Sequence, residues 1–451
     1  MDAREIALLT LNTCQRQGEW ADHVLKKQLA AARLDSRDAA LATQLCFGVL
    51  QNQMLLDFYL GQCSNLPLKR MESKVIIILR LGLYQMLFLD KIPNSAAVDS
   101  AVTLTRRYSK NRRASGLVNA ILRNIGRNLE HLPEIPQGDP AEYLSIRYSH
   151  PKWLVQACLS EFGAEQTAAF LRENNGTPPM TAIVNSLRCS REQLVAQLDA
   201  CGVTAVGHPW LSDCVILSGT GNLEQLAPFS RGLFYIQDPA SRLAVLAGDL
   251  RPGMRILDAC AAPGGKSFAA AIDMKGKGEI ISCDLSAQKV KRIEQGRQRL
   301  GLDCIRPVSA DAKEFQPQWE AQFDVVLVDA PCSGLGVIRK KPDIRYKNPE
   351  LLQGLPAIQR EILDNVCRYV RPGGILLYST CTILRQENQQ MVDYILKRHP
   401  DYRAEAFSLP GPVGEVAEGC ITLWPQVHGT DGFFFAKLRC KDTDSSGGNH
   451  D

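Results

Sequence analysis

No stretch of the 451 residues is long and apolar enough to span a bilayer; apolar runs such as Val75 to Leu79 end after a few positions. The first residues, Met1-Asp2-Ala3-Arg4-Glu5, carry acid where a secretory signal needs a basic flank and an apolar core. Fifteen cysteines are present, an odd number, but none forms a C-x-x-C pair, so a zinc ribbon has no ligand spacing and a dense disulfide scaffold is excluded. Glycine and proline are too sparse for a low-complexity chain, and 45% hydrophobic residues are too many for a disordered one. There is no internal repeat. These absences point to a cytoplasmic monomer with no membrane partner and no metal site, built from two to four domains.

Acid is also missing locally. The net charge is only +4, yet no acidic residue lies between Asp99 and Glu130, a stretch that holds Arg106, Arg107, Lys110, Arg112, Arg113, Arg123 and Arg127. A second basic cluster, Arg339-Lys340-Lys341 with Arg345 and Lys347, has only Asp343 against it. One such run is commonly a solvated face; two in one chain favour a polyanion partner. Arg106, Arg107, Lys110, Arg112, Arg113, Arg339 and Lys340 are therefore the residues expected to face that polyanion.

The hydrophobic pattern changes along the chain. Residues 1–135 repeat apolar side chains at helical spacing, as in Leu41, Leu45, Val49 and Ile77, Leu81, Tyr84, Phe88, and predict an all-α bundle. A proline-rich linker follows, with Pro133, Pro136 and Pro140. Residues 141–230 read as a small α+β module, with strands at Ala182–Val184 and Val215–Leu217 and a helix around Gln193–Leu198. Residues 231–440 alternate short apolar runs with helical stretches, the pattern of buried parallel strands with crossover helices in a Rossmann-like α/β domain. Gly432–Leu438 reads as a late strand, and residues 441–451 as a disordered tail.

Five strand ends in the last region carry chemistry. Asp258-Ala259-Cys260-Ala261-Ala262-Pro263-Gly264-Gly265-Lys266 follows a strand and opens a helix, so a backbone without side chains approaches a ligand at a helix N-terminus. It matches neither G-x-G-x-x-G nor a phosphate-cradling G-x-x-x-x-G-K, which disfavours NAD and ATP. Asp284 ends the next strand, where a carboxylate accepts both ribose hydroxyls of a nucleoside; Asp311 follows the strand after that and suits an adenine amino group. Singly, each acid reads equally well as a helix cap. Asp329-Ala330-Pro331-Cys332-Ser333-Gly334 and Ser379-Thr380-Cys381-Thr382 end two further strands, which brings two cysteines to the same rim.

With these segments on the page, the region 231–438 resembles the RNA cytosine-5 methyltransferases of the Fmu/Sun/NOL1 type. Tyr235-Ile236-Gln237-Asp238 and Gly429-Thr430-Asp431-Gly432-Phe433-Phe434 are similar to that family's flanking motifs. Leu45-Cys46-Phe47-Gly48-Val49-Leu50 and Val118-Asn119-Ala120-Ile121-Leu122-Arg123 resemble the NusB-like helical domain that bacterial members acting on 16S ribosomal RNA carry. The resemblance implies S-adenosyl-L-methionine as methyl donor, held by Cys260, Ala261, Ala262, Pro263, Gly264, Gly265, Lys266, Asp284, Asp311 and Asp329. It implies Cys381 as nucleophile and Cys332 as the group that assists release. Ala310 stands where the family often has glycine, which leaves Asp311 the weakest of these assignments.

The chemistry asks for such groups. Carbon 5 of cytosine is a poor nucleophile until a thiolate adds at carbon 6, which divides one hard step into two. Asp329, buried beside the cofactor, would hold a proton against the ring, and Lys266 would orient Asp329 or favour a thiolate. The base must be unstacked to be reached. Three other readings compete. A transfer-RNA cytosine-5 methyltransferase shares every catalytic motif. A cysteine hydrolase using Cys332 or Cys381 would need a histidine, and only His428 lies in a segment able to reach the site. A non-catalytic RNA-binding factor would have no use for two strand-end thiols beside a glycine turn.

Overall fold

The computed structural model of the chain describes residues 1–442, which divide into two compact units: Met1–Gly176 with Ile338–Lys347, and the remainder from Thr177.

The first unit is all helical. Six helices, Ala3–Gln17, Ala21–Ala32, Ser36–Gln62, Ser73–Phe88, Asn94–Tyr108 and Ala114–Arg127, bury one apolar core in which Ile6, Leu45, Leu56, Ile78, Val118 and Leu122 are inaccessible to water. Local sequence sets the ends of these helices. The carboxylates of Asp2 and Asp35 each accept an amide three residues on, satisfying donors that a helix start leaves open. Gly18 closes the first helix in the left-handed region, at φ 68°, which its missing Cβ permits. Helices Pro140–Tyr148 and Lys152–Glu173 also belong to this unit. The two helical patterns read at Trp153–Phe162 and Gln166–Glu173 form one element interrupted at Gly163, φ 74°.

The packing boundary at Gly176 therefore differs from the composition break near residue 140. Proline content marks where the chain turns; it does not report which core a later helix joins. The segment Ile338–Lys347, sequentially inside the α/β region, likewise packs within the helical unit. There the Arg345 guanidinium is fully buried. It donates to the carbonyl oxygens of Gln51 (3.0 Å), Ser149 (2.9 Å) and Tyr148 (3.3 Å) and to Asn175 Oδ1 (2.9 Å), and burial lowers its pKa to about 10. The Tyr346 hydroxyl donates to Leu50 O at 2.6 Å, and Asp343 accepts from the Ala21 amide at 2.9 Å.

The second unit begins with a four-stranded antiparallel sheet made of β1 (Met180–Val184), β2 (Thr204–Gly207), β3 (Cys214–Ser218) and β4 (Phe234–Ile236), in the order β2-β3-β1-β4. Helix Arg191–Asp199, opened by a reciprocal Ser190–Gln193 capping box, packs on it. The strands expected at Ala182–Val184 and Val215–Leu217 are there. β2 was not legible, because it is a partly exposed strand of four small residues.

The larger sheet contains β5 (Arg255–Asp258), β6 (Glu279–Asp284), β7 (Ile305–Ser309), β8 (Phe323–Asp329) and β9 (Val370–Thr380), followed by β10 (Tyr402–Ala404). After a hairpin of β11 (Phe407–Leu409) and β12 (Gly414–Val416) come β13 (Cys420–Leu423) and β14 (Phe433–Cys440). Its order is β10-β14-β9-β8-β5-β6-β7, with β13 also on β14. Strands β5 to β9 pair in parallel, and β14 runs antiparallel to β9, as its late place in the sequence predicts. Apolar side chains are buried on both faces, against helices Gly265–Asp273 and Ala287–Leu300 on one side and Leu355–Val366 and Gln389–Arg398 on the other. Because the strands are parallel and in register, Asp258, Asp284, Ser309, Asp329 and Thr380 all emerge at one rim. None of the described helices is long and apolar enough to cross a membrane, and the described residues contain no cluster of metal-ligating side chains. The tail expected to be disordered lies, from residue 443 on, outside the described residues.

Candidate active site

The turn after β5 is shaped by its glycines. Gly264 holds φ 108°, its amide donates to Ala261 O at 2.7 Å, and a Cβ there would lie 2.5 Å from the Phe268 ring. A Cβ on Gly265 would come within 2.9 Å of Gln237 Nε2. Only glycine lets the loop fold this tightly over the start of helix Gly265–Asp273. The result is a cleft of about 200 Å³ lined by Asp258, Cys260, Gly265, Lys266, Asp329 and, from the segment after β4, Gln237.

The carboxylates of this cleft differ. Asp258 is fully buried; its Oδ2 accepts the Ser267 hydroxyl at 2.7 Å, while Oδ1 has no partner. Burial, more than the nearby carboxylates, raises its pKa to about 6. Asp329 is not buried as expected: its side chain is 35% exposed. Both of its oxygens are engaged, one by Lys266 Nζ at 2.6 Å and the other by the Ser379 hydroxyl at 3.1 Å. Lys266 is itself buried, with its ammonium 5.0 Å from the centre of the Phe433 ring. Of the two roles read for Lys266, the structure supplies the geometry for orienting Asp329.

Asp284 is buried at the end of β6, accepts the Ser286 amide at 3.0 Å and stands 3.6 Å from Lys289 Nζ. Next to it Leu285 is 69% exposed, an apolar side chain held in water at the rim. Asp311 lines a separate cleft with Leu285, Val308 and Ala310. It also accepts the Lys313 amide at 2.9 Å, so the turn-capping reading of this residue holds alongside any other.

The two strand-end cysteines meet. Cys332 Sγ and Cys381 Sγ lie 3.2 Å apart as free thiols. The hydrogen bond with Cys381 and then burial push the Cys332 thiol well above its ordinary range, so Cys332 holds its proton at neutral pH. The flanking motifs close the same site: the Asp431 amide donates to Asp238 at 3.1 Å, and Gly432 and Gly336 exchange a backbone bond of 2.9 Å beside Cys381. Sequence reasoning gave no role to Gln237, Ser267 and Ser379, polar residues within or beside the motifs whose part depends on which strand end they face. Burial pushes the Cys260 thiol well up, the signature of an inert thiol rather than a nucleophile.

The expected RNA-binding residues separate into two groups. Arg106, Arg107, Lys110, Arg112 and Arg113 are exposed on the helical unit, and Lys340 is exposed as well. Arg107 spends part of its charge on buried Glu5, 2.7 Å away. Arg339 is a correction. It is buried, 3.8 Å from Glu173, because its segment packs into the helical unit, so it presents no charge to a phosphate.

Comparison with known proteins agrees with this layout. A family model described as 16S rRNA methyltransferase RsmB/F matches residues 245–439, the NusB family matches 1–127, and an RsmF/B-like ferredoxin-like domain matches 150–224. The chain is 38% identical over 446 residues to the probable ribosomal RNA small subunit methyltransferase B of Bacillus subtilis, covering 97% of this chain and 98% of the relative. It is 33% identical to ribosomal RNA small subunit methyltransferase B of Erwinia tasmaniensis, over 96% and 98% of the two chains. The crystal structure of PH0851 superposes with a TM-score of 0.80 at 26% identity, over 97% of this chain and 99% of that one. The structure of a methyltransferase homolog protein from Pyrococcus horikoshii gives 0.58 at 26% identity, over 66% and 97%. On the matched domains, the near full-length identity and the strand-end crevice, this chain belongs to the RsmB/F family of 16S ribosomal RNA methyltransferases, which use S-adenosylmethionine.

Proposed function

We propose that the protein transfers a methyl group from S-adenosylmethionine to carbon 5 of a cytosine in 16S ribosomal RNA, through a transient bond between Cys381 and carbon 6 of the base. The observation that carries this reading is the meeting of two free thiols, 3.2 Å apart, at the strand rim that also bears the Lys266–Asp329 pair.

The residues present fit the cofactor. Asp258 leaves a buried oxygen without a partner in the cleft, the loop after it is held free of side chains at Gly264 and Gly265, and Asp284 and exposed Leu285 offer a carboxylate and an apolar surface to a nucleoside. Cys260–Lys266, Asp284 and Asp329 would hold it, with Asp311 beyond Leu285. When bound, it supplies a methyl group on a positively charged sulfur.

The chain's own residues do the rest. Cys381 attacks carbon 6 as a thiolate, with the S–H of Cys332 donated to it. Asp329, held by Lys266 and Ser379, shares a proton with N3 of the base and so balances the negative charge that the addition puts on the ring. Once Cys381 is bound in a thioether, the first of the causes that hold the Cys332 proton is removed, though burial and Glu387 remain, and Cys332 gives up its proton to water. It then takes the proton from carbon 5 as the ring double bond reforms and Cys381 leaves. The basic face of the helical unit holds the surrounding phosphates.

Cys381→Ala should abolish turnover and form no covalent RNA adduct. Cys332→Ala should also lose turnover but accumulate a denaturation-resistant adduct, read on a denaturing gel with a 16S ribosomal RNA transcript. An adduct that forms with Cys381→Ala and is missing with Cys332→Ala would reverse the two roles. Bisulfite mapping of ribosomal and transfer RNA from a deletion strain reads the substrate class: a lost signal in transfer RNA alone would overturn the ribosomal assignment.

A further inference from the structure

Behind the two thiols lies a buried polar network that the mechanism above does not use. Glu387 is completely buried, and its Oε2 accepts two hydrogen bonds: from the Ser333 amide at 2.9 Å and from Gln359 Nε2 at 3.0 Å. The same Gln359 nitrogen donates to Pro331 O at 3.0 Å. Pro331 and Ser333 are the residues on either side of Cys332. Asn388, the next residue, does the same for the other thiol. Its Oδ1 accepts the Thr380 hydroxyl at 2.6 Å and its Nδ2 donates to Thr382 O at 3.0 Å. Thr380 and Thr382 flank Cys381. A third bond ties the two loops together, between the hydroxyls of Ser333 and Thr382, 2.6 Å apart. The turn carrying both side chains is fixed by Tyr378, whose hydroxyl donates to Glu387 O at 2.6 Å.

We propose that Glu387 and Asn388 are positioning residues for the two cysteines: Glu387, with Gln359, grips the peptides around Cys332, Asn388 grips those around Cys381, and their adjacency in one turn sets the distance between the sulfurs. This rests on the thiol roles assigned above.

Cost and geometry support it. A buried carboxylate spent on two N–H groups, with Oε1 left without a hydrogen-bond partner, is expensive for a fold that needs only a loop anchor. What the arrangement supplies is two strand-end loops in register, and a reaction in which one thiol leaves as the other takes a proton depends on that register. The charge of Glu387 is also among the causes that keep the Cys332 thiol protonated.

The test uses the full chain without cofactor or RNA, so that its first readout is independent of catalysis. Dibromobimane bridges two thiols only when they lie close together, and peptide mapping by mass spectrometry identifies a Cys332–Cys381 bridge. The native protein should form it readily. Glu387→Ala and Asn388→Ala should each lower the bridged fraction several-fold, and Glu387→Gln, which keeps the accepting oxygen, should restore most of it. With cofactor and a 16S ribosomal RNA transcript, turnover in the alanine variants should fall by about 10²-fold, the scale expected for an ångström of misplacement. Glu387→Ala should retain the covalent adduct, because release suffers; Asn388→Ala should lose it, because attack suffers. If an alanine variant fails to fold by circular dichroism, Gln359→Met, which removes one grip on the Cys332 loop, carries the same expectation. Native-like bridging in Glu387→Ala and Asn388→Ala, or in Gln359→Met, would overturn the proposal. A native protein that bridges, while Cys332→Ala never forms an RNA adduct, would instead overturn the reaction proposed above and leave the clamp standing.

Discussion

Two basic runs of similar composition have opposite fates in this molecule. Arg106 to Arg113 lies around the end of one helix and the start of the next, and its charged side chains stand in water. Arg339 and Arg345 enter the helical core while Lys340 and Lys341 between them stay in water; Arg345 is 0% exposed and hydrogen-bonds to carbonyl oxygens rather than to a carboxylate. Both belong to the helical unit, and both look like polyanion-binding stretches in the sequence. The difference lies in what each run meets. The first is followed by an amphipathic helix whose apolar stripe, Val118, Ile121, Leu122 and Ile125, takes the buried side and leaves the arginines outside. The second is interleaved with buried Ile338, Pro342 and Ile344 and half-buried Tyr346, and their packing draws Arg339 and Arg345 in with them.

This contrast can be broken by mutation, and the largest effect belongs to the buried cation. Arg345→Ala should cost about 2–4 kcal/mol of stability, because several buried carbonyls lose their donor together. Denaturant unfolding of the full chain measures this, and a loss below the error of the extrapolation would mean that water replaces the guanidinium. Replacing Arg106, Arg107, Arg112 and Arg113 together by alanine should change RNA binding instead. The slope of log affinity against log salt should flatten by about 2–3, slightly less than four phosphate contacts would give because Arg107 is shared with Glu5. An unaltered slope would show a merely solvated face. The smallest effect is expected at Arg339→Ala: about 1 kcal/mol of stability and no change in the salt slope. A flattened slope there would contradict its buried position.

The same contrast shows what a sequence discloses. The parallel strands were legible because β5, β6, β8 and β9 are short apolar runs ending in a polar residue, and that pattern also gave the rim on which Asp258, Asp284, Asp329 and Cys381 stand. The thiol pair followed once two cysteines fell at strand ends. Local pattern did not disclose long-range partners. Nothing near Arg339 in the sequence announces Glu173, and nothing near Asp329 announces that Ser379 will take up one of its oxygens. Glu387 and Asn388 read as ordinary polar residues before a helix, since their meaning comes from loops that the sheet brings up to them. Helix Lys152–Glu173 was visible as helical patterns at Trp153–Phe162 and Gln166–Glu173 and Pro140–Tyr148 was not read, but the allegiance of both was decided by packing.

The excursion of residues Ile338–Lys347 has a practical consequence for anyone who treats this chain as a string of detachable modules. Cutting after Gly176 to obtain the catalytic half alone would also strip away the bed on which Arg345 and Tyr346 lie, far downstream of the cut. The shortened protein would display naked apolar side chains from Ile338 onward and an unhoused Arg345, so the scissors would leave a wound in the half that was meant to stay whole.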